Sequence, residues 1–173
     1  MSLNDSVKID DDGVTFTSIY DGSKTRFTPE DAVSTQEQLG ADIQMALDVC
    51  PPLPSDHQMI LQAMERTHQW AARAIKVHRK PDQALFGIVQ GGVDPALRTK
   101  SAKYLSSLGF PGYGIGGLSV GESHQEMMPA LSAAISELPE DRPRYLMGVG
   151  DPARIVDAIG VGVDMFDCVL PTR

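Results

Sequence analysis

Ala84-Leu85-Phe86-Gly87-Ile88-Val89-Gln90 is an apolar run closed by one polar residue, followed at once by Gly91-Gly92 and then by Asp94-Pro95. A run without alternation reads as a strand buried on both faces. Asp94 has the short acceptor that caps a helix, and Pro95 suits the first helical position, where no N–H is needed. The helix that follows puts Leu97, Tyr104, Leu105 and Leu108 on one face and closes at Gly109. Strand, polar end, tight loop and amphipathic helix together make one βα unit.

The same unit recurs on either side. Thr28-Pro29 opens a helix that Gly40 ends, and Ala41 to Val49 is an apolar run interrupted by Asp48. Ser55-Asp56-His57-Gln58 reads as a capping box before a long helix with Ile60, Ala63, Met64, Thr67, Ala71, Ala74 and Ile75 at three-four spacing. Trp70 and Met59 flank that stripe and read as core. Tyr113 to Leu118 is a strand carrying Gly114, Gly116 and Gly117. Ser123-His124-Gln125-Glu126 is a second capping box, Arg144 to Val149 a strand, Asp151-Pro152 a further cap, and Val163 starts the last strand. Before these units, Met1 to Gly13 reads as polar chain with a turn at Asp10 to Gly13. Val14–Tyr20 and Lys24–Thr28 form a hairpin about Asp21-Gly22.

Consecutive strands joined by helices need right-handed crossovers, which leaves a doubly wound sheet or part of a (β/α)8 barrel. The polar residues decide between them. Asp48, Gln90, Gly117, Met147-Gly148 and Asp167 all fall at or near C-terminal strand ends, which a barrel gathers into one rim. An open sheet would string them along an edge, with ligands collecting only at a switch point. The expectation is an α/β chain forming an incomplete (β/α)8 barrel. Its single partial domain spans residues 1–173, with the hairpin at 14–28 and about five βα units over 29–173.

The chain has 173 residues, a net charge of −8 and 42% hydrophobic content, an ordinary soluble composition. No apolar run approaches a membrane span and no signal pattern opens the sequence, so a cytoplasmic location is the default. Cys50 and Cys168 form no Cys-x-x-Cys pair and read as free thiols. The charge argues against non-specific nucleic-acid binding by the chain as a whole. One basic cluster (Arg66, His68, Arg73, Lys76, His78, Arg79 and Lys80) lies along the long helix and reads as a solvated face.

The last run, Gly162 to Arg173, reads as a buried strand closed by Pro171, with Asp164 near its start and Asp167 in its middle. A carboxylate in such a strand is costly unless it is paired or faces a cavity. Asp167 is therefore either a functional group or the partner of a buried Arg. Asp164, on the opposite face, reads as a residue that fixes the local backbone.

Taken as a site, Asp48 accepts two hydrogen bonds and Gln90 offers a donor pair and an acceptor. Gly114 to Gly117 presents backbone N–H groups without side chains in the way. A planar ligand with adjacent N–H donors on one edge and a carbonyl on another matches the set, and guanine is such a ligand. Leu118 and Met147 could cover its faces. The plainer alternatives are a phosphate site at the Gly-rich end and a structural Gln90.

Gly116-Gly117-Leu118-Ser119-Val120-Gly121-Glu122, Tyr145-Leu146-Met147-Gly148-Val149-Gly150 and Asp164-Met165-Phe166-Asp167-Cys168-Val169-Leu170-Pro171-Thr172-Arg173 resemble the tRNA-guanine transglycosylase family. So do Val14-Thr15-Phe16 with Asp21-Gly22-Ser23, Asp42-Ile43 through Cys50, and Phe86 to Gly92. The resemblance implies an irregular (β/α)8 barrel that exchanges guanine at the wobble position of tRNA with a GUN anticodon for a 7-deazaguanine base. It implies Asp167 as the nucleophile at ribose C1′, and Asp48, Gln90 and Gly117 as base-recognition residues, with Cys50 in the base pocket; Leu118 and Met147 join the substrate-binding set as the apolar cover read above. It also implies RNA contacts from Gly148, Val149, Gly150, Asp151, Pro152, Ala153, Arg154, Thr172 and Arg173. Cys50 and Val120 point to a bacterial-type enzyme taking 7-aminomethyl-7-deazaguanine in queuosine biosynthesis.

The family's general-base aspartate would precede Met1, and its Zn2+ site, a Cys-x-Cys-x-x-Cys set with a later histidine, would follow Arg173. The chain thus reads as an internal segment, inactive alone, of a protein that is a homodimer at full length and has no membrane association. The rival readings are an archaeosine-type or queuine-type enzyme and a non-catalytic tRNA-binding homologue. A phosphate-binding barrel of the aldolase kind would need a Lys or metal triad at the strand ends, which the sequence does not supply.

Overall fold

A computed structural model describes residues 7–170. Strands β4 (Ile43–Met45), β5 (Ala84–Val89), β6 (Gly112–Ile115), β7 (Arg144–Leu146) and β8 (Met165–Phe166) form one sheet in the order β4-β5-β6-β7-β8. Every neighbouring pair is parallel, and each strand pairs with the one just before it in sequence. No switch point interrupts that order, so the sheet is the arc of an incomplete (β/α)8 barrel. Helices α1 (Pro29–Leu39), α2 (His57–Val77), α3 (Pro95–Ser107), α4 (His124–Ile135) and α5 (Pro152–Gly160) supply the crossovers. Among the described residues no helix is long and apolar enough to cross a membrane.

Helix ends follow the local chemistry. Thr28 accepts from Asp31 N at 3.2 Å while the Asp31 side chain accepts from Thr28 N at 2.9 Å, and Gly40 closes α1 at φ 73°. Asp94 caps α3, Ser123 and Glu126 form the capping box of α4, and Asp151 caps α5. At α2 the sequence expectation needs correction. The cap is Asp56, whose carboxylate accepts from Met59 N at 2.8 Å. Ser55 instead turns back to donate to the Pro52 carbonyl at 2.6 Å. Met59, expected in the core, is 49% exposed, because the stripe that turns inward runs through Ile60, Ala63, Met64, Thr67, Trp70, Ala71 and Ala74.

The main core lies between sheet and helices, with Leu85, Val89, Leu105, Phe110, Tyr113, Ile115, Met127, Leu131 and Leu146 all buried. The N-terminal segment forms a second sheet of three strands, β1 (Lys8–Asp10), β2 (Gly13–Thr17) and β3 (Lys24–Phe27). Strand β1 falls where the composition suggested only polar chain; it pairs with β2 through Ile9 opposite Val14. Residues of α2 bind both the turn between β1 and β2 and the start of α1. Arg66 binds Asp11 at 2.9 Å, Arg73 grips Glu30 through two 2.7 Å bonds, and the buried Trp70 donates to Asp11 O at 2.8 Å. The expected solvated basic face is thus spent partly on ion pairs. His68 is buried, and Arg79 and Lys80 lie beyond the helix end at Val77.

Several strands are shorter than expected: β2 ends at Thr17 and β6 at Ile115. Strand β7 ends at Leu146, and β8 is Met165–Phe166, half-buried at the sheet edge. Asp167 is therefore the first residue past the strand, not its midpoint, and it is exposed.

Candidate active site

Each sequence-predicted polar residue follows the end of a different strand: Asp48 after β4, Gln90 after β5, Gly117 after β6, Met147 after β7 and Asp167 after β8. Because the strands are parallel and consecutive, these ends form one continuous rim. Asp48 and Gln90 meet directly. Gln90 Nε2 donates to Asp48 Oδ2 at 2.6 Å, and Gln90 itself is 1% exposed. Loss of hydration pushes the Asp48 carboxyl up, and the Gln90 bond works against that rise. Cys50, a free thiol, lies in the same pocket, and burial together with the Asp48 carboxylate pushes its pKa up. Asp48, Cys50 and Met147 line a cavity of about 340 Å³ with Met45, Ile88 and the hairpin residues Ile9, Val14 and Phe27. That volume is within the usual range of small-ligand pockets.

The glycines after β6 act differently from the expectation. Gly116 N is spent on Val89 O at 3.1 Å, so it is not presented to a ligand. A Cβ at Gly116 would lie 2.9 Å from Gln90 Nε2, and one at Gly117 would lie 2.3 Å from Gln90 Oε1. Gly117 also sits at φ 65°, where a side chain is strained. The missing side chains make room for the Gln90 amide. Leu118 is buried in the main core and does not line the cavity.

One residue that the sequence reading passed over organises this corner. Arg98, on the inner face of α3, is fully buried and donates to Gly92 O at 2.7 Å, Val89 O at 3.0 Å, Gly116 O at 2.7 Å and Gly117 O at 3.1 Å. It therefore joins the ends of β5 and β6 and the Gly91-Gly92 loop. Burial lowers its pKa to about 10, still high enough to keep it charged at neutral pH. The available signal was an arginine next to Leu97 and one turn before Ala102, on the face that should be apolar. Ser101, next on that face, accepts from Gln90 N at 3.2 Å and lies 2.9 Å from His68 Nε2.

Asp167 is held from the β7 side. Tyr145 Oη donates to Asp167 Oδ1 at 2.6 Å, and Gly148 N donates to the same oxygen at 2.7 Å. Among the described residues no Arg partners Asp167. Burial and the adjoining Asp167 carboxylate push the Tyr145 hydroxyl pKa up, so it stays a donor at neutral pH. Asp164 behaves as expected: its Oδ2 accepts from Arg144 N at 2.9 Å and fixes the β7–β8 pairing. Met147 joins the two parts of the rim, since it lines the Asp48 cavity and precedes Gly148.

A second cavity of about 380 Å³ lies beside Asp167, lined by Ser119, Gly148, Val149, Gly150, Asp151, Arg154 and Cys168. Asp151, Pro152 and Ala153 are exposed at the start of α5 and Arg154 is half-buried there, whereas Val149 is buried in the core. Thr172 and Arg173 lie outside the described residues.

Strand order, rim and a carboxylate presented at the last strand end define a partial (β/α)8 barrel. The chain belongs to the Queuine tRNA-ribosyltransferase family, whose family model matches residues 1–173. It is 56% identical over 172 residues to the queuine tRNA-ribosyltransferase of Herpetosiphon aurantiacus, covering 99% of this chain and 44% of that protein. It is 53% identical to the Halothermothrix orenii protein of the same name over 99% of this chain and 46% of the relative. With the Thermus thermophilus protein, also of that name, identity is 51% over the whole chain and 45% of the relative. The chain thus spans less than half the length of these relatives.

Proposed function

We propose that the protein to which this chain belongs exchanges guanine at the wobble position of GUN-anticodon tRNA for 7-aminomethyl-7-deazaguanine, through a covalent bond between Asp167 and ribose C1′. The observation that carries this reading is the Asp167 carboxylate, exposed one residue past β8 and held by two donors on Oδ1. Oδ2 accepts no hydrogen bond among the described residues and is the oxygen to attack. Attack forms the C1′–O bond as the C1′–N9 bond breaks, and the leaving guanine takes the electron pair. The transition state has oxocarbenium character, as at other glycosidic carbons attacked by carboxylates. The target nucleotide leaves its stack to reach the rim.

Asp48 and Gln90 read the base by its ring N–H, amine and carbonyl, beside Gly117 and under Met147. Cys50 in the Asp48 cavity supports the bacterial-type substrate. The exposed start of α5, with Gly148 to Arg154, is the proposed path of the RNA backbone, continued by Thr172 and Arg173. The family resemblance adds Zn2+ and a homodimer for the longer protein. Among the described residues no three His, Cys, Asp or Glu side chains are grouped as a metal site, and no step is assigned to zinc. The family's general base lies outside residues 1–173, so these residues alone are expected to lack turnover.

The test is to incubate the longer protein with cognate tRNA and look for a covalent protein–RNA adduct on a denaturing gel. Adduct formation by the parent, its loss in Asp167→Asn and exchange of labelled guanine are expected. A parent that binds tRNA but gives neither adduct nor exchange would instead be a non-catalytic homologue. Preference for a different deazaguanine in competition would replace the bacterial-type substrate assignment.

A further inference from the structure

The bond between Tyr145 and Asp167 joins two consecutive strands at the rim. Tyr145 pairs with Met165 in the sheet, and its hydroxyl reaches the residue just past Phe166. A structural tyrosine at a sheet edge has no need of a carboxylate, and the neighbouring Asp164–Arg144 contact already fixes the strand pairing. The hydroxyl points instead at the oxygen that Gly148 N also serves, so both donors converge on Oδ1.

We infer that Tyr145 is a positioning residue that sets how long the covalent intermediate lives, by stabilising the Asp167 carboxylate as it departs from ribose. This inference rests on Asp167 being the nucleophile. In the free enzyme Oδ1 carries half of a full negative charge and the Tyr145 bond is charge-assisted. Once Oδ2 is bonded to C1′, the carboxyl is neutral, Oδ1 becomes an ester-like carbonyl oxygen, and the same bond weakens. When the intermediate breaks down, the C1′–Oδ2 electron pair returns to the carboxylate while the incoming base forms its N9–C1′ bond. The N9 proton passes to a base, water being sufficient for the balance. Tyr145 therefore favours the free carboxylate over the adduct. It slows attack somewhat, speeds release, and keeps the intermediate scarce. Holding the Oδ1 edge also aims Oδ2 away from β7.

A hydrogen bond to a charged group is about twice as strong as one to a neutral oxygen, and the difference corresponds to roughly a 10-fold change in this partition. The experiment uses the longer protein with tRNA, quenched at steady state, and reads the fraction of enzyme held as adduct. Tyr145→Phe should raise the ratio of adduct to free enzyme–tRNA complex by about 10-fold and slow release of adduct by added base. Incorporating 3-fluorotyrosine at position 145, a more acidic donor of nearly the same shape, should lower the fraction. Opposite shifts from the two replacements support the inference, because a merely structural tyrosine would not give them. An unchanged adduct fraction in a folded Tyr145→Phe protein, or a shift of the same sign in both, overturns it. If Tyr145→Phe does not fold, the fluorotyrosine protein decides alone, and an unchanged or raised fraction there overturns the inference. An adduct that persists in Asp167→Asn would mean that the nucleophile assignment has failed, a result distinct from either of these.

Discussion

Gln90 is held by buried protein through both its backbone and its side chain, whereas around Asp167 the same task falls to two donors at an exposed sheet edge. Gln90 is fixed through its amide by Asp48, through its backbone by Ser101, and by the absence of side chains at Gly116 and Gly117. Arg98 then binds the surrounding carbonyls. Asp167 follows a two-residue strand and is open to solvent. The difference fits the proposed division of tasks, with base recognition at the fixed groups and attack on ribose at the exposed one.

The comparison can be broken at four points. Replacing Asp167 by Asn should cost the longer protein on the order of 10,000-fold or more in base exchange. Its melting temperature should hardly change, because the residue is exposed. A large drop in melting temperature would show that the edge is structural after all. Gln90→Ala should lower kcat/KM for the incoming base by about 100-fold to 1,000-fold, since it removes the amide and leaves a buried carboxyl without its partner. Competition between guanine and an analogue lacking the carbonyl would locate the loss in base reading.

Arg98→Met fills much of the same space but takes the guanidinium donor from the Gly92, Gly116 and Gly117 carbonyls, with only Val89 O keeping its Gly116 N–H, and should destabilise the fold by about 3 kcal/mol. Arg98→Lys should recover only part of this, because one ammonium cannot reproduce the planar fork. Urea unfolding of both variants measures the difference. The smallest effect concerns pH. His68 stacks on Tyr104 at 4.6 Å, and Ser101, already accepting from Gln90 N, has its own proton left for His68 Nε2. Burial accordingly lowers the His68 pKa from 6.5 to about 4. Between those values the unfolded chain binds a proton that the folded chain does not, so stability falls as pH drops through this window and is unaffected above it. The loss should build up steadily as pH falls from about 6.5 toward about 4, and His68→Phe should flatten that slope in denaturant titrations.

Much of this was readable in advance because it depends on local chemistry. Thr28-Pro29, Asp94-Pro95 and Ser123 with Glu126 announce helix starts whatever surrounds them, and the βα order follows from them. The polar residues at strand ends located the rim for the same reason. What could not be read depends on partners distant in sequence. The apolar run around Asp167 suggested a buried strand, but burial is decided by neighbouring strands, and pairing to β7 ends at Phe166. The glycines after β6 suggested an open approach, whereas the space they leave is taken by Gln90 from another strand. Arg98 would have required knowing that four carbonyls from three separate segments converge on one helix face.

The strictly sequential pairing of β4 through β8 has a consequence for synthesis. Each strand finds its partner in the segment made just before it, so an emerging chain can add βα units one by one without waiting for residues still to be translated. The Asp48–Gln90–Arg98 corner, whose polar members all precede Gly117, would then be assembled before Asp167 has left the ribosome. The buried part of the rim is built first, and the exposed carboxylate is added to it.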